Sequence, residues 1–82
     1  MNPGIKYASY NSPYKVRVTF TNDEVKEFDI KPYLEYPVYK DLKDENFCKQ
    51  LQVFNGTIIW NDEIDLDPDT VYLESKELTV NA

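Results

Sequence analysis

The dipeptide Asn55-Gly56 constrains the fold of this chain more than any other sequence feature. Asn-Gly is strongly preferred at the centre of a two-residue β-hairpin turn, where both residues need a positive φ. A reversal here predicts four opposed pairs: Phe54 with Thr57, Val53 with Ile58, Gln52 with Ile59, and Leu51 with Trp60. In this register one face collects the apolar side chains of Leu51, Val53, Ile58 and Trp60, as burial of that face requires. The sequence therefore predicts a hairpin with one side turned to a core.

A second hairpin is predicted over residues 14–30. Residues 14–20 alternate between two faces, which is typical of a half-buried strand. Thr21-Asn22-Asp23-Glu24 supplies residue types that tolerate turn geometry, and residues 25–30 then favour a returning strand. The expected core face of the first strand consists of Tyr14, Val16, Val18 and Phe20.

The segment between the hairpins favours short helices. A proline near its start predicts a single helical turn over residues 31–35, which Pro37 closes. Asp41 or Asp44 can cap a further short helix that runs to about Lys49.

A last helix is predicted after the second hairpin. Asp67-Pro68 is typical of an N-cap followed by proline at the first helical position, so we expect a helix over about residues 68–74 with Val71 facing inward. The whole pattern predicts one small α+β domain over residues 1–82, with two β-hairpins in an antiparallel sheet and short helices packed on one side.

The formal net charge of −6 is unevenly distributed. Residues 1–60 contain eight acidic and eight basic side chains, whereas residues 61–82 contain seven acidic side chains and one lysine. Because phosphate backbones and anionic membranes are bound by clustered Lys and Arg, neither nucleic acid nor a membrane is an expected partner. The exception is the first hairpin, across which Lys15, Arg17 and Lys26 could form a basic stripe, so nucleic-acid binding is disfavoured rather than eliminated.

Residue types needed for several kinds of chemistry are absent. The chain has no histidine and one cysteine, Cys48, which excludes a Cys/His metal cluster, an internal disulfide and any histidine-based triad. We expect Cys48 to pack as a small hydrophobe, and we expect neither enzymatic activity nor a cofactor. The first residues lack the apolar stretch of a secretory signal, and no apolar run approaches transmembrane length, so a cytoplasmic location is expected.

The acidic stretch over residues 62–69 invites a metal hypothesis. Its candidate ligands Asp65, Asp67 and Asp69 have the spacing of the first three ligand positions of an EF-hand loop. The pattern then fails, because Thr70 stands where the loop needs glycine and Lys76 stands where it needs a bidentate glutamate. We therefore expect a solvated acidic loop, with Asp67 as a helix cap, rather than a metal site.

A resemblance to a known family comes from the order of these signals. A strand ending in Phe20, a turn and Phe28-Asp29-Ile30 precede the segment Pro37-Val38-Tyr39-Lys40-Asp41-Leu42-Lys43-Asp44 and Phe47. A hairpin closing on Ile58-Ile59-Trp60 is followed by Asp65-Leu66-Asp67-Pro68-Asp69 and Tyr72. Over about residues 14–73 this order resembles the small prokaryotic family DUF2442, a domain of unknown function. Family members commonly carry a glycine in the first turn, where this chain has Asn22-Asp23-Glu24. Asn22 and Asp23 are residue types that can also enter the left-handed region.

The resemblance implies a small α+β fold and no established activity. Family members are often encoded beside other short proteins, in arrangements similar to toxin–antitoxin pairs, which implies a partner-binding role.

We accordingly expect a non-enzymatic protein-interaction module whose acidic C-terminal part binds a basic protein, with an antitoxin-like role as the concrete version. The candidate partner-binding residues are Asp62, Glu63, Asp69, Tyr33 and Tyr36, the tyrosines because they offer large contact area at low entropy cost. The alternative is a domain that responds to a small ligand or metal through the acidic loop. A terminal strand over residues 78–80 would also allow a homodimer by edge pairing.

Overall fold

The computed structural model describes residues 2–78, which form two antiparallel sheets with short helices packed against them. These residues contain seven strands: β1 Ile5–Asn11, β2 Lys15–Phe20, β3 Val25–Asp29, β4 Gln52–Phe54, β5 Thr57–Ile59, β6 Asp65–Leu66 and β7 Lys76–Glu77. They also contain two 3-10 helices, Lys31–Glu35 and Pro37–Lys43, and two α-helices, α1 Glu45–Cys48 and α2 Pro68–Glu74.

The first predicted hairpin is confirmed as the centre of a four-stranded sheet with the order β1-β2-β3-β7. Its turn places Asp23 at a φ of 70°, and the Asn22 side chain accepts a hydrogen bond from the Glu24 amide at 3.0 Å. Val16, Val18 and Phe20 are completely buried, so the alternation in the sequence identified the core face of β2.

The second predicted hairpin is confirmed in its register. Three of the four predicted pairs, Gln52 with Ile59, Val53 with Ile58 and Phe54 with Thr57, are the observed β4–β5 pairs. Asn55 and Gly56 have φ values of 51° and 78°, as the turn type requires. Strand β6 pairs with β5 and completes a sheet with the order β4-β5-β6.

The α+β class is confirmed, but the two hairpins belong to separate sheets rather than to one. The sheets meet where the Ile5 amide donates to the Gly56 carbonyl at 3.1 Å. Strand β1, which borders this junction, was not predicted. A register shift between Ile5 and Tyr7 turns Ile5 inward and Tyr7 outward, which breaks the alternation that marks a strand in sequence.

The helix caps are confirmed. The Asp44 side chain accepts from the Asn46 amide at 2.9 Å and starts α1, and the Asp67 side chain accepts from the Asp69 and Thr70 amides and starts α2. The 3-10 helix Pro37–Lys43, which begins at the proline expected to close the first helical turn, was not predicted.

A single apolar core joins both sheets and the helices. Its buried members are Ile5, Val16, Val18, Phe20, Phe28, Ile30, Leu42, Cys48, Ile58, Trp60, Ile64, Leu66 and Val71. The Trp60 indole donates from Nε1 to the Cys48 carbonyl at 2.7 Å. This bond satisfies the polar atom of a buried aromatic and fixes the C-terminal end of α1 to the residue that follows β5.

The predicted terminal strand over residues 78–80 lies mainly outside the described residues. Up to Leu78, the chain pairs with β3 through β7, and the Leu78 amide donates to the Val25 carbonyl at 3.0 Å.

Three tyrosine hydroxyls fasten distant segments by donating to glutamate carboxylates. Tyr10 donates to Glu45, Tyr33 to Glu74, and Tyr72 to Glu24. The hydrogen bond from Tyr72 lowers the pKa of Glu24, and the bond from Tyr10 lowers the pKa of Glu45. Burial, followed by the bond to Glu45, raises the pKa of Tyr10 to about 12.

The lowered pKa of Glu24 predicts that the folded protein loses stability in acid. Since its folded pKa lies below the ordinary value of 4.5, its contribution is complete above that pH and disappears as the pH falls through the lowered value. Tyr72→Phe removes the main cause, so its deficit in the free energy of unfolding, measured by urea titration, should be present at neutral pH and shrink in acid. Tyr36→Phe, which removes a hydroxyl from an exposed ring, is the control and should show no such pH-dependent deficit. A Tyr72→Phe deficit that stays constant down to acid pH would contradict this account.

Candidate functional site: a groove beside the acidic loop

A shallow surface groove lies between the second 3-10 helix and the loop formed by residues 61–64. It consists of two depressions of about 470 and 350 Å³, which share Lys40, Asp41 and Asn61. One end is bounded by Lys43, Asp44 and Phe47, and the other by Pro37, Val38, Glu63 and Ile64.

The loop side of the groove is shaped by Asn61. Its side-chain oxygen accepts from the Glu63 amide at 2.9 Å and from the Ile64 amide at 2.8 Å. The Trp60 amide donates to the Ile64 carbonyl at 2.9 Å, and the Ile64 side chain is buried. Because the loop is closed in this way over a buried anchor, Asp62 and Glu63 are exposed on its outer side.

The opposite wall is the second 3-10 helix, which is anchored at both ends. Leu42 is completely buried, and the Tyr39 hydroxyl donates to the Asp65 carbonyl at 3.1 Å. The Tyr39 ring makes an edge contact with Tyr33, with 6.0 Å between ring centroids. Burial raises the pKa of the Tyr39 hydroxyl, and the nearby Asp65 carboxylate adds to this shift.

The groove combines exposed apolar surface with charge. Val38, which lines the groove, and Tyr36, which precedes the lining residue Pro37 in the chain, are each 56% exposed. Lys40, Asp41 and Glu63 place both signs of charge along the same groove. An apolar strip with charged margins is suited to holding a protein segment that presents an apolar side chain beside a charged one.

The residues predicted to bind a partner are only partly brought together. Glu63 lines the groove, Asp62 is exposed beside it, and Tyr36 immediately precedes the lining residue Pro37. Tyr33 instead holds the first 3-10 helix to α2 through Glu74, and Asp69 lies in the first turn of α2.

Sequence reasoning missed the groove residues Val38, Asp41 and Asn61. The signal available for Asn61 was the pattern Asn-Asp-Glu directly after a hairpin strand, since Asn side chains commonly close such turns. Val38 and Asp41 carry no local signal, because only the tertiary contacts of the 3-10 helix decide which of its faces is exposed.

The candidate metal ligands Asp65, Asp67 and Asp69 are not gathered into a cluster. The Asp67 carboxylate is engaged as the cap of α2, with its Oδ2 3.1 Å from the Asp69 amide nitrogen. Throughout residues 2–78, no three or more Asp, Glu or Cys side chains are arranged so that they could hold a metal ion.

Cys48 has no features of a nucleophile. Its side chain is completely buried, as expected for a small hydrophobe, and burial raises the pKa of its thiol to about 11.

The three basic residues of the first hairpin do not share a face. Opposed residues of an antiparallel pair lie on one face, so Lys15 and Arg17 are on the outer side of the sheet, whereas Lys26, which opposes the buried Val18, is on the other side. There the Lys26 ammonium lies 3.9 Å from the centroid of the Tyr72 ring and donates to the Tyr72 carbonyl. Lys15 forms an ion pair with Asp29 at 3.5 Å.

None of the helices in the described part of the chain has the length and apolar character needed to cross a bilayer.

Comparison with known proteins identifies the family. The chain matches the model of a protein family of unknown function, DUF2442, over residues 5–77, and it belongs to this family. No curated protein matches the chain.

Among solved structures, the fold is similar to that of NE0471 from Nitrosomonas europaea, a putative DNA binding protein. The TM-score is 0.79 at 23% sequence identity, over 92% of this chain and 50% of that protein. The chain thus spans half the length of this structural neighbour, with which it shares its fold.

The similarity to NE0471 corrects one expectation from the sequence, namely that nucleic acid is not a partner. That expectation was wrong because it relied on a net charge that is set by the acidic C-terminal quarter. Residues 1–60 are neutral overall, and on the outer face of the larger sheet Lys15 and Arg17 stand opposite Asp29 and Glu27. Net charge describes the average field of a protein and does not determine the potential of each surface.

Replacement of Asn61 should loosen the loop without unfolding the domain. Asn61→Ala removes the acceptor for the Glu63 and Ile64 amides, whose hydrogen exchange should then become about fivefold to tenfold faster, as expected from the loss of one ordinary hydrogen bond. Asn61→Asp keeps an acceptor oxygen and should preserve slow exchange. Equal exchange rates in wild type and Asn61→Ala, measured by NMR, would show that the side chain does not hold this loop.

Proposed function

We propose that this domain is a non-enzymatic protein-interaction module and that it binds a basic segment of a protein partner in the groove beside the acidic loop. The observation that carries this proposal is the exposure of Val38 and Tyr36 next to a groove whose loop side presents Glu63, with Asp62 beside it. An exposed apolar side chain that lines a groove favours a binding role for that surface more than one exposed singly elsewhere.

The negative charge of this part of the chain favours a basic partner. The loop and the elements that follow it contain the seven acidic residues of the C-terminal quarter. All seven are exposed, whereas Ile64 and Leu66 between them are buried. Complementary charge on a partner would speed the encounter and make the affinity depend on salt. An antitoxin-like role, in which the domain covers a small basic toxin, is the concrete form of this proposal.

The test begins with the partner and then compares two matched variants. The full-length protein is purified from its native cell at low and high salt, co-purifying proteins are identified by mass, and the affinity of the domain for the partner is measured. Glu63→Gln and Glu27→Gln make the same chemical change, one in the groove and one in the larger sheet. We expect Glu63→Gln to weaken binding at low salt by about threefold to tenfold and Glu27→Gln to leave it unchanged.

High salt should remove most of the difference between these two variants, because it screens exposed charges. Val38→Ser should weaken binding at both salt concentrations, since its contribution is apolar. A partner that binds all three variants with wild-type affinity does not use the groove and would refute the proposal.

Contact with DNA is a second candidate function. The observation that favours it is the fold shared with NE0471, although that protein is twice as long as the match. Titration of the domain into a labelled DNA duplex tests it. Binding that weakens steeply with salt and is lost in Arg17→Gln would support a contact through the outer face of the larger sheet, and absence of binding at low salt would refute it.

A further inference from the structure

Strand β1 is an edge of the larger sheet, and it also lies against β4 and β5 of the smaller sheet. It has seven residues and pairs along one side with β2. Its first amide, that of Ile5, is covered by the β4–β5 turn through the Gly56 carbonyl. Beyond that point, the edge contains no proline and no inward-pointing charge, the devices that commonly protect such strands from pairing.

The outward-facing backbone groups of this edge can be assigned from the register. The Ile30 amide donates to the Tyr14 carbonyl and the Phe20 amide to the Glu24 carbonyl, so the even-numbered residues of β2 bond to β3. The odd-numbered residues of β2 therefore bond to β1, and they oppose Tyr7, Ser9 and Asn11. The amides and carbonyls of Ala8 and Tyr10 consequently point away from the sheet, and no backbone partner bonds to them within residues 2–78.

The geometry points to a second copy of this chain as the occupant of that edge. An antiparallel pair with its two-fold axis at Ser9 would oppose Ala8 of each copy to Tyr10 of the other. Both residues point their backbone groups outward, so four hydrogen bonds would form and two four-stranded sheets would become one of eight strands. The side chains fit this register, because a small alanine faces a large tyrosine twice and two serines meet at the axis.

Charge complementarity supports the same register. Glu45 lies beside the C-terminal end of β1, where it accepts from the hydroxyls of Tyr10 and Ser12. Lys6 lies near the N-terminal end, where its ammonium is 3.4 Å from Asp23 on the exposed surface. Antiparallel pairing brings the Lys6 end of each copy to the Glu45 end of the other, where Glu45 would compete with Asp23 for the Lys6 ammonium.

The test is the oligomeric state of the full chain, measured by sedimentation velocity from micromolar to millimolar concentration. The wild type should show a monomer–dimer equilibrium. Ala8→Pro removes an outward amide, a position at which proline is tolerated, and should weaken the dimer about tenfold or more. A circular dichroism spectrum that matches the wild type verifies that this variant is folded.

A pair of charge variants adds a test by restoration, with the folding of each variant checked by circular dichroism because Ser9 opposes Arg17 within the same sheet. Ser9→Glu and Ser9→Lys each place like charges at the two-fold axis, and each should dissociate the dimer by itself. An equimolar mixture should restore it, because glutamate then faces lysine. A wild type that remains monomeric at millimolar concentration would overturn the proposal, and so would a dimer that persists unchanged in Ser9→Glu or a mixture that fails to restore association.

Discussion

All elements of this domain depend on one apolar core that the two sheets share. The strands of the smaller sheet have only two or three residues and helix α1 has four, lengths that are not stable in isolation. Ile58, Leu66 and Cys48 from these elements pack in the same cluster as the buried face of β2. Since a domain of this size buries only about 60–65% of its unfolded surface, its pieces have no separate cores to support them. The core also determines the shape of the groove, because the buried residues Ile64 and Leu42 belong to the two segments that form its walls.

Hydrogen bonds from tyrosine hydroxyls add a second set of contacts between distant segments. Tyr10, Tyr33 and Tyr72 each connect segments that are more than thirty residues apart, and each does so with an exposed or half-exposed carboxylate as the acceptor. The rings supply apolar area to a thin core while the hydroxyls remain at the surface, where water and carboxylates can satisfy them. The two tyrosines that were expected to bind a partner therefore have different roles. Tyr33 holds two helices together, whereas Tyr36 is exposed and immediately precedes the groove residue Pro37.

Local signals predicted much of the fold, and tertiary contacts determined the rest. Asn55-Gly56 defined a register, and Asp44 and Asp67 defined helix starts, because each of these features is governed by backbone geometry within a few residues. Strand β1 was missed since its bulge disrupts the period of two, and the division into two sheets was missed since no local pattern encodes which hairpins pair. For the site, sequence identified Glu63 as a charged candidate, but the groove exists only because Pro37–Lys43 packs opposite residues 61–64.

The most direct test of the account is chemical-shift mapping of the isotope-labelled domain with its purified protein partner. If the groove is the binding surface, the largest amide perturbations at saturation will fall on Val38, Asp41 and residues 61–64, which lie on its two walls. Arg17 and Glu27, which oppose each other in the larger sheet, will remain near their free positions. Perturbations confined to Arg17, Glu27 and their neighbours, with the groove amides unmoved, would contradict the account.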